Sequence, residues 1–159
     1  MSDPWFAIEG RTAVLTGGGG VLAGCMAGEL ARRGARVAVL DLQEDAAQKV
    51  AADIADAGGQ ALAVACNVLE RDSVTAACER VERELGPVDI LVNAAGGNKK
   101  EATTSEELSF FDLPLDALRF VAELNLLGTI LPSQIFGRSM AERKEGCIVN
   151  ISSMASMRP

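Results

Sequence analysis

The feature that most constrains the fold is a run of four glycines at residues 17–20, within the stretch AVLTGGGGVLAG at 13–24. A short apolar run precedes the glycines, and an apolar run with helical spacing follows them. Glycine is costly in backbone entropy, so this tract indicates a turn between strand and helix that needs bare backbone. Such a turn suits a phosphate-bearing ligand, because backbone N–H groups and the positive end of the helix dipole meet there.

Five apolar runs alternate with four helical patterns along the chain. The apolar runs lie at 11–17, 35–41, 60–68, 88–97 and 146–153, and the helical patterns lie at 21–34, 42–59, 69–86 and within 110–143. The runs are continuously apolar, which is typical of strands covered on both faces. Strand–helix alternation with short links favours right-handed parallel crossovers. We therefore predict an α/β fold, a Rossmann-type doubly wound parallel sheet, in a single dinucleotide-binding domain over residues 1–159.

The composition disfavours several classes of partner. The formal charge of −7 is the wrong sign for nucleic acid or for an acidic membrane surface, and the chain has no apolar run long enough to cross a bilayer. The chain has no histidine, and its four cysteines form no CxxC pair. We therefore predict no metal site, no nucleic-acid partner and no membrane partner, and a cytoplasmic protein with reduced thiols.

The glycine tract and the second strand together predict the cofactor. Gly18, Gly20 and Ala23 fit the dinucleotide fingerprint, with alanine in the permitted third place. Asp41 ends the second strand, where a carboxylate accepts hydrogen bonds from ribose hydroxyls and repels a 2′-phosphate. No arginine follows it directly, so NAD is favoured over NADP. Two alternatives stay open: a glycine-rich turn that merely needs positive φ, and an Asp41 that caps the next helix.

Five motifs occur in the order found in the short-chain dehydrogenases/reductases, and the chain resembles that family over nearly its whole length. The motifs are TGGGGVLA at 16–23, CNV at 66–68, NAAGG at 93–97, LNLLGT at 124–129 and IVNISS at 148–153. The resemblance implies an NAD(P)-dependent oxidoreductase that interconverts a secondary alcohol and a ketone of a small-molecule substrate. It also implies a homo-oligomer for the complete enzyme, and a sheet of normally seven strands of which five lie in this chain.

The resemblance and the strand ends together assign a cofactor site. Its predicted residues are Thr16, Gly17, Gly19, Gly20, Val21, Leu22, Asp41, Leu42, Asn67, Val68, Asn93, Ala94, Ala95 and Gly96. The N–H groups of residues 19–22 are expected to hold the pyrophosphate, although Gly20 comes one position earlier than the family pattern has it. Asn67 replaces the family's aspartate, and its amide oxygen can still accept from the adenine amino group. Ala23 takes the place of the glycine expected at the helix packing.

The resemblance also implies two catalytic residues. Ser153 matches the serine that stabilises charge on the substrate oxygen, and Asn125 matches the helical asparagine that holds a water of a proton relay. The family's Tyr-x-x-x-Lys pair, which handles the proton, belongs beyond Pro159, and the chain contains no tyrosine. Two interpretations follow: a piece of a longer dehydrogenase, which is favoured and would be inactive alone, or a naturally short dinucleotide-binding module.

The segment 96–114 is longer than the family usually has before its central helix. It resembles the loop of the sugar-acid dehydrogenases of this family, which act on fructuronate/mannonate or similar pairs. Asn98, Lys99 and Lys100 could donate hydrogen bonds to a substrate carboxylate. A solvated polar loop on a general carbonyl reductase is the alternative interpretation.

Overall fold

Strands and helices alternate through residues 7–153, the part of the chain that the computed structural model describes. The strands are β1 (Thr12–Thr16), β2 (Arg36–Asp41), β3 (Gln60–Ala65), β4 (Ile90–Asn93) and β5 (Cys147–Asn150). The helices are α1 (Val21–Arg32), α2 (Glu44–Asp56), α3 (Arg71–Leu85), α4 (Leu115–Ala122) and α5 (Gly128–Arg143). Short 3₁₀ turns lie at Lys100–Ala102 and Phe110–Asp112, and a π-helical turn, Glu123–Leu127, joins α4 to α5.

The five strands form one parallel sheet in the order β3-β2-β1-β4-β5. The chain steps outward from β1 through β2 to β3, and then returns by α3 to place β4 on the other side of β1. The order therefore reverses between β1 and β4. Loops leave in opposite directions at such a point, which opens a crevice at the carboxyl ends of the strands. The predicted Rossmann-type sheet is confirmed.

Successive residues of a central strand enter two different cores, because strand side chains point alternately to opposite faces of a sheet. Val14 packs in the core that α3 and α5 cover, with residues such as Val81 and Phe136. Its neighbour Leu15 packs in the core that α1 and α2 cover, which contains Ile54. This double covering explains why the β1 and β2 segments are apolar without alternation.

The strand β5 differs from the others because all four of its residues are exposed. Its apolar residues Ile148 and Val149, and Ile151 just beyond it, are 40%, 42% and 40% exposed. Within residues 7–153, β5 pairs with β4 alone and so forms one edge of the sheet. The predicted catalytic Ser153 follows this lightly covered edge.

The helical pattern predicted within 110–143 corresponds to α5, which α4 and a π-helical turn directly precede. The π-helical turn at Glu123–Leu127 separates α4 from α5. Pro132, in the interior of α5, has no N–H to donate to the carbonyl of Gly128 four residues earlier, so the first turn of α5 lacks one hydrogen bond. The strand predicted at 88–97 is also shorter, since β4 ends at Asn93.

Two glycines of very different surroundings give a stability test. Gly28 lies inside α1, and a Cβ added there would meet nothing within 4 Å. Gly28→Ala is therefore expected to raise the free energy of unfolding by about 0.5–1 kcal/mol, the usual cost of glycine relative to alanine in a helix. Urea denaturation followed by circular dichroism measures it, and a lowered midpoint would contradict the open surroundings.

Gly17→Ala is the matched opposite. Gly17 has φ +63°, and a Cβ there would lie 2.8 Å from the Cα of Ala95. The same substitution at this position is expected to lower the free energy of unfolding by about 1–3 kcal/mol.

Candidate functional site

A crevice of about 450 Å³ lies at the carboxyl ends of the strands, beside the point where the strand order reverses. Eleven of its lining residues are predicted cofactor residues: Gly17, Gly20, Val21, Leu22, Asp41, Leu42, Asn67, Val68, Ala94, Ala95 and Gly96. The lining adds four that the prediction did not include: Ala23, Gln43, Cys66 and Leu124. Thr16, Gly19 and Asn93 do not line it, and each has an internal role described below.

Thr16 joins the two strands between which the crevice opens. Its side chain is fully buried, and its hydroxyl oxygen accepts hydrogen bonds from the N–H groups of Ala94 and Ala95, each at 3.1 Å. Gly17 follows with so close an approach to Ala95 that a Cβ would meet its backbone nitrogen at 2.9 Å. Thr16, which was predicted to contact the cofactor, therefore holds Ala94 and Ala95 in the wall of the crevice.

The glycines of the tract have different roles. Gly18 lies against β2, because its N–H donates to the carbonyl of Leu40 at 2.9 Å and a Cβ would lie 2.7 Å from Cγ1 of Val39. Gly24 makes the close approach of α1 to α2, since a Cβ there would lie 3.3 Å from Val50. The predicted packing role of Ala23 is therefore shared with a glycine one residue later.

The predicted set of pyrophosphate donors is altered by the turn itself. The N–H of Gly19 donates to Oδ2 of Asp41 at 3.0 Å, and the N–H of Gly20 donates to the carbonyl of Gly17 at 3.1 Å. The first N–H groups of a helix have no partner inside the helix, and at the start of α1 those belong to Val21, Leu22 and Ala23. No side chain in the described residues caps this helix, and its first turn contains no acid.

Asp41 is held by backbone on both sides of its carboxylate. Oδ2 accepts from Gly19, and Oδ1 accepts from the N–H of Gln43 at 2.9 Å. Gln43, and not Asp41, is the N-cap residue of α2. The carboxylate lines the crevice and also ties the glycine tract to the start of α2. The alternative in which Asp41 caps α2 is therefore wrong.

Asn67 forms a turn that leads into α3. Its Oδ1 accepts from the N–H of Leu69 at 3.1 Å, and its Nδ2 donates to Glu70 at 2.8 Å. An amide oxygen has two acceptor positions, so one is left for a ligand in the crevice. The neighbouring Cys66 thiol is buried, and burial raises its pKa.

Asn93 lies inside the protein and not on the crevice surface. It is 2% exposed, and its Nδ2 donates to Oγ of Ser133 and to Oδ1 of Asn150, both at 2.9 Å. Its Oδ1 has no hydrogen-bond partner among residues 7–153. Sequence reasoning missed Ser133 and Asn150, although an asparagine at the end of β5 is a signal, because β4 and β5 pair in a register that places Asn150 opposite Asn93.

Asn125 lies in the π-helical turn, where its side chain clamps the start of the long loop. Oδ1 accepts from the N–H of Gly97 at 3.1 Å, and Nδ2 donates to the carbonyls of Gly97 at 2.7 Å and Val121 at 2.8 Å. A Cβ on Gly96 would lie 2.7 Å from this Oδ1, so glycine is needed beside the clamp. The backbone carbonyl of Asn125 accepts from the Thr129 hydroxyl at 3.1 Å.

The three predicted substrate residues have different surroundings. Asn98 is part of the loop's own turn: Nδ2 donates to Thr103 at 2.9 Å, and Oδ1 accepts from the N–H of Lys99 at 2.9 Å. The ammonium of Lys99 lies 4.0 Å from the centre of the Phe120 ring, a cation–π contact. Lys100 is exposed in the first 3₁₀ turn.

Ser153 is exposed and follows β5 by three residues. The strands are parallel, and the register aligns Thr16 with Asn93 and Asn93 with Asn150. The three strand ends therefore meet at one edge, and the chain leaves β5 towards Ser153 on the side where the crevice opens.

Residues 7–153 offer neither a metal cluster nor a membrane-spanning helix. No group of three or more His, Cys, Asp or Glu side chains in this part of the chain is placed to hold a metal ion. None of its helices has the length and apolar character required to cross a bilayer. All four cysteines are free thiols.

Comparison with known proteins identifies relatives of this architecture. The family model for short chain dehydrogenases matches residues 11–159. An uncharacterized oxidoreductase, UxuB, of Bacillus subtilis is 41% identical over 160 residues, covering 96% of this chain and 58% of the relative. This chain thus spans about three-fifths of that relative's length.

Similar solved structures include complexes with a nicotinamide cofactor. A proposed D-mannonate oxidoreductase from Haemophilus influenza with bound NAD has a TM-score of 0.90 and 39% identity, covering 96% of this chain and 58% of that one. A 7α-hydroxysteroid dehydrogenase in complex with NADH and 7-oxoglycochenodeoxycholic acid has a TM-score of 0.85 and 34% identity, covering 96% and 56%.

Thr16→Val tests the joint between β1 and the loop after β4. Valine fills the space but accepts no hydrogen bond, so two partly buried N–H groups lose their partner, and we expect a loss of about 2 kcal/mol of unfolding free energy. Thr16→Ser keeps the acceptor and is the control, with an expected loss of about 1 kcal/mol for the missing methyl group. Equal losses in urea denaturation would contradict the bonding role.

The thiols should separate by reactivity. Burial, helped by the charges of Glu82 and Glu79, raises the pKa of Cys78 to about 12, whereas Cys25 and Cys147 are exposed. The thiolate is the reactive form, so iodoacetamide at mildly alkaline pH should modify Cys25 and Cys147 first. Mass spectrometry of timed samples measures the order, and a urea-unfolded sample, in which all four react, is the control. Early modification of Cys78 would contradict its burial.

Proposed function

Because this chain belongs to the short-chain dehydrogenase family, we propose that it contributes the cofactor half of an NAD-dependent oxidoreductase that interconverts a secondary alcohol and a ketone. The observation that carries the proposal is the crevice, where the Asp41 carboxylate and the start of α1 line one cavity. An acceptor for ribose hydroxyls and a donor set for a pyrophosphate are the two groups that a dinucleotide requires.

The residues present fit NAD. The amides of Val21, Leu22 and Ala23 would bind the pyrophosphate, helped by the positive end of the α1 dipole. Asp41 would accept from the adenosine ribose hydroxyls and repel a 2′-phosphate, which supports NAD over NADP. Asn67 would accept from the adenine, with Val68 and Leu42 beside it. The small residues at 94–96 leave room for the second ribose.

Bound NAD would supply the hydride acceptor of the reaction. The chain's own residues bind and orient: Ser153 would donate a hydrogen bond to the substrate oxygen and stabilise its developing charge. Asn125 holds the loop at 97–109 through Gly97. Its backbone carbonyl, in the π turn, accepts from the Thr129 hydroxyl and keeps a second acceptor position, which would bind a relay water. The sequence has no tyrosine, so the family's tyrosine general acid/base is not assigned to any residue of this chain.

We further propose that the substrate is a sugar acid, of the fructuronate/mannonate type. The support is the D-mannonate assignment of the NAD-bound neighbour and the two lysines of the loop. Since Asn98 is used within the loop's own turn, Lys99 and Lys100 would contact the carboxylate. Lys99 is held over Phe120, which limits the freedom lost when it binds an anion.

A second candidate is a dinucleotide-binding module without catalysis, and its support is the same crevice. NAD binding without turnover of any sugar acid would select it. For assembly we propose a homo-oligomer, supported by exposed apolar residues on α4 and around the π turn, such as Leu118, Leu126 and Ile130. The four free thiols support a cytoplasmic location.

Isothermal titration with NAD and NADP tests the cofactor proposal. The chain should bind NAD more tightly than NADP, and Asp41→Ala should raise the Kd for NAD about tenfold or more, because a charge-assisted pair of hydrogen bonds is lost. The Kd for NADP should change less, since a repulsion disappears with the carboxylate. Asp45→Ala, which removes another acid at the start of α2, is the control. Equal effects of Asp41→Ala on both dinucleotides would refute the ribose role.

A further inference from the structure

Three elements meet at Gly19, a residue outside the lining of the crevice. Its N–H donates to Asp41 at the end of β2. A Cβ added to it would lie 2.6 Å from Cβ of Ala46 in α2 and 3.0 Å from Oδ2 of Asp41. Real Cβ atoms essentially never come as close as 2.6 Å, so only glycine fits between the carboxylate and the helix.

The consequence is a carboxylate with a fixed orientation. One oxygen of Asp41 is bound by Gly19 and the other by Gln43, both through backbone N–H groups. Hydrogen bonds to an ionised carboxylate are stronger than neutral ones, so rotation of the group would break two strong bonds at once. Each oxygen keeps further acceptor capacity, which is available on the side that lines the crevice.

We propose that Gly19, packed against Ala46, is a positioning residue that sets the preference for NAD over NADP. It acts through Asp41 and touches no part of the dinucleotide. A carboxylate locked in place accepts from the ribose hydroxyls and cannot turn away from a 2′-phosphate. A carboxylate released from Gly19 can rotate, which weakens the bonds to NAD and relieves the repulsion of NADP. This inference rests on the proposal that the crevice binds NAD.

The measured quantity is the ratio of the Kd for NADP to the Kd for NAD, from isothermal titration of purified variants. Gly19→Ala should lower this ratio about fivefold or more, because the new Cβ displaces the Gly19 N–H from Asp41. Displacement of the glycine tract alone would weaken both dinucleotides by the same factor, since both carry the same pyrophosphate. The ratio therefore separates positioning of Asp41 from general damage.

Two further variants are controls for the effect of Gly19→Ala on the Kd ratio. Gly28→Ala adds the same methyl group to α1 in open space, and it should leave both Kd values unchanged within about twofold. In an Asp41→Ala background, Gly19→Ala should leave the ratio as that background has it, because the carboxylate through which Gly19 acts is gone.

Gln43→Pro tests the other backbone hydrogen bond to the Asp41 carboxylate. It removes the N–H that binds Oδ1 of Asp41, at a φ of −94° that is close to the proline range. It should also lower the ratio, and it serves as the readout if circular dichroism shows that Gly19→Ala does not fold.

The outcomes distinguish the two proposals. A wild-type chain that binds neither dinucleotide, or that binds both equally, overturns the proposed cofactor and this inference with it. A wild-type chain that prefers NAD, with the same ratio in the folded Gly19→Ala or Gln43→Pro variant, overturns the inference alone. A further fall in the ratio when Gly19→Ala is added to the Asp41→Ala background also overturns it, because the effect of Gly19 then does not pass through Asp41.

Discussion

The site depends on the contact between Thr16 and the chain that leaves β4. The doubly wound sheet separates the loops after β1 and β4, because one leads into α1 and the other into the long loop on the opposite side. The buried Thr16 hydroxyl accepts from both Ala94 and Ala95, and Gly17 lets the two backbones approach without a Cβ between them. The crevice can therefore open between the two loops while β1 and β4 stay paired.

The glycine tract is folded tightly enough to use part of its own hydrogen-bonding capacity. The amides of residues 18–20 donate within the protein, to Leu40, Asp41 and Gly17 respectively. Only the beginning of α1 is left to face a ligand. The tract is thus a compact support that brings the helix N-terminus to the crevice, and it fixes the carboxylate beside it. Binding groups that are held by such a support lose little freedom when a ligand arrives.

Three asparagines also use their hydrogen-bonding groups within the protein. Asn67 shapes the turn into α3, Asn93 links β4 to α5 and β5, and Asn125 clamps Gly97 to the π turn. Each was predicted from sequence as a residue that touches cofactor, water or substrate. An amide side chain offers donors and an acceptor together, so it can replace a backbone partner wherever regular structure ends. The hydrogen bonds of these three asparagines therefore hold the segments around the crevice in position.

The sequence by itself determined the order of strands and helices, the covering of β1 and β2 on both faces, the turn at residues 17–20 and the acid that ends β2. These features are local: apolar spacing, glycine and the position of Asp41 are all readable within a few residues. The helix predicted within 110–143 is present as α5, but the π turn that joins it to α4 was not predicted. Only the tertiary structure decided which amides stay free and which asparagine side chains bond to distant parts of the chain. The partners concerned lie 28 residues apart for Asn125 and Gly97, and 57 apart for Asn93 and Asn150. Hydrogen bonds across such separations form only when packing has brought the elements together, so no local pattern records them.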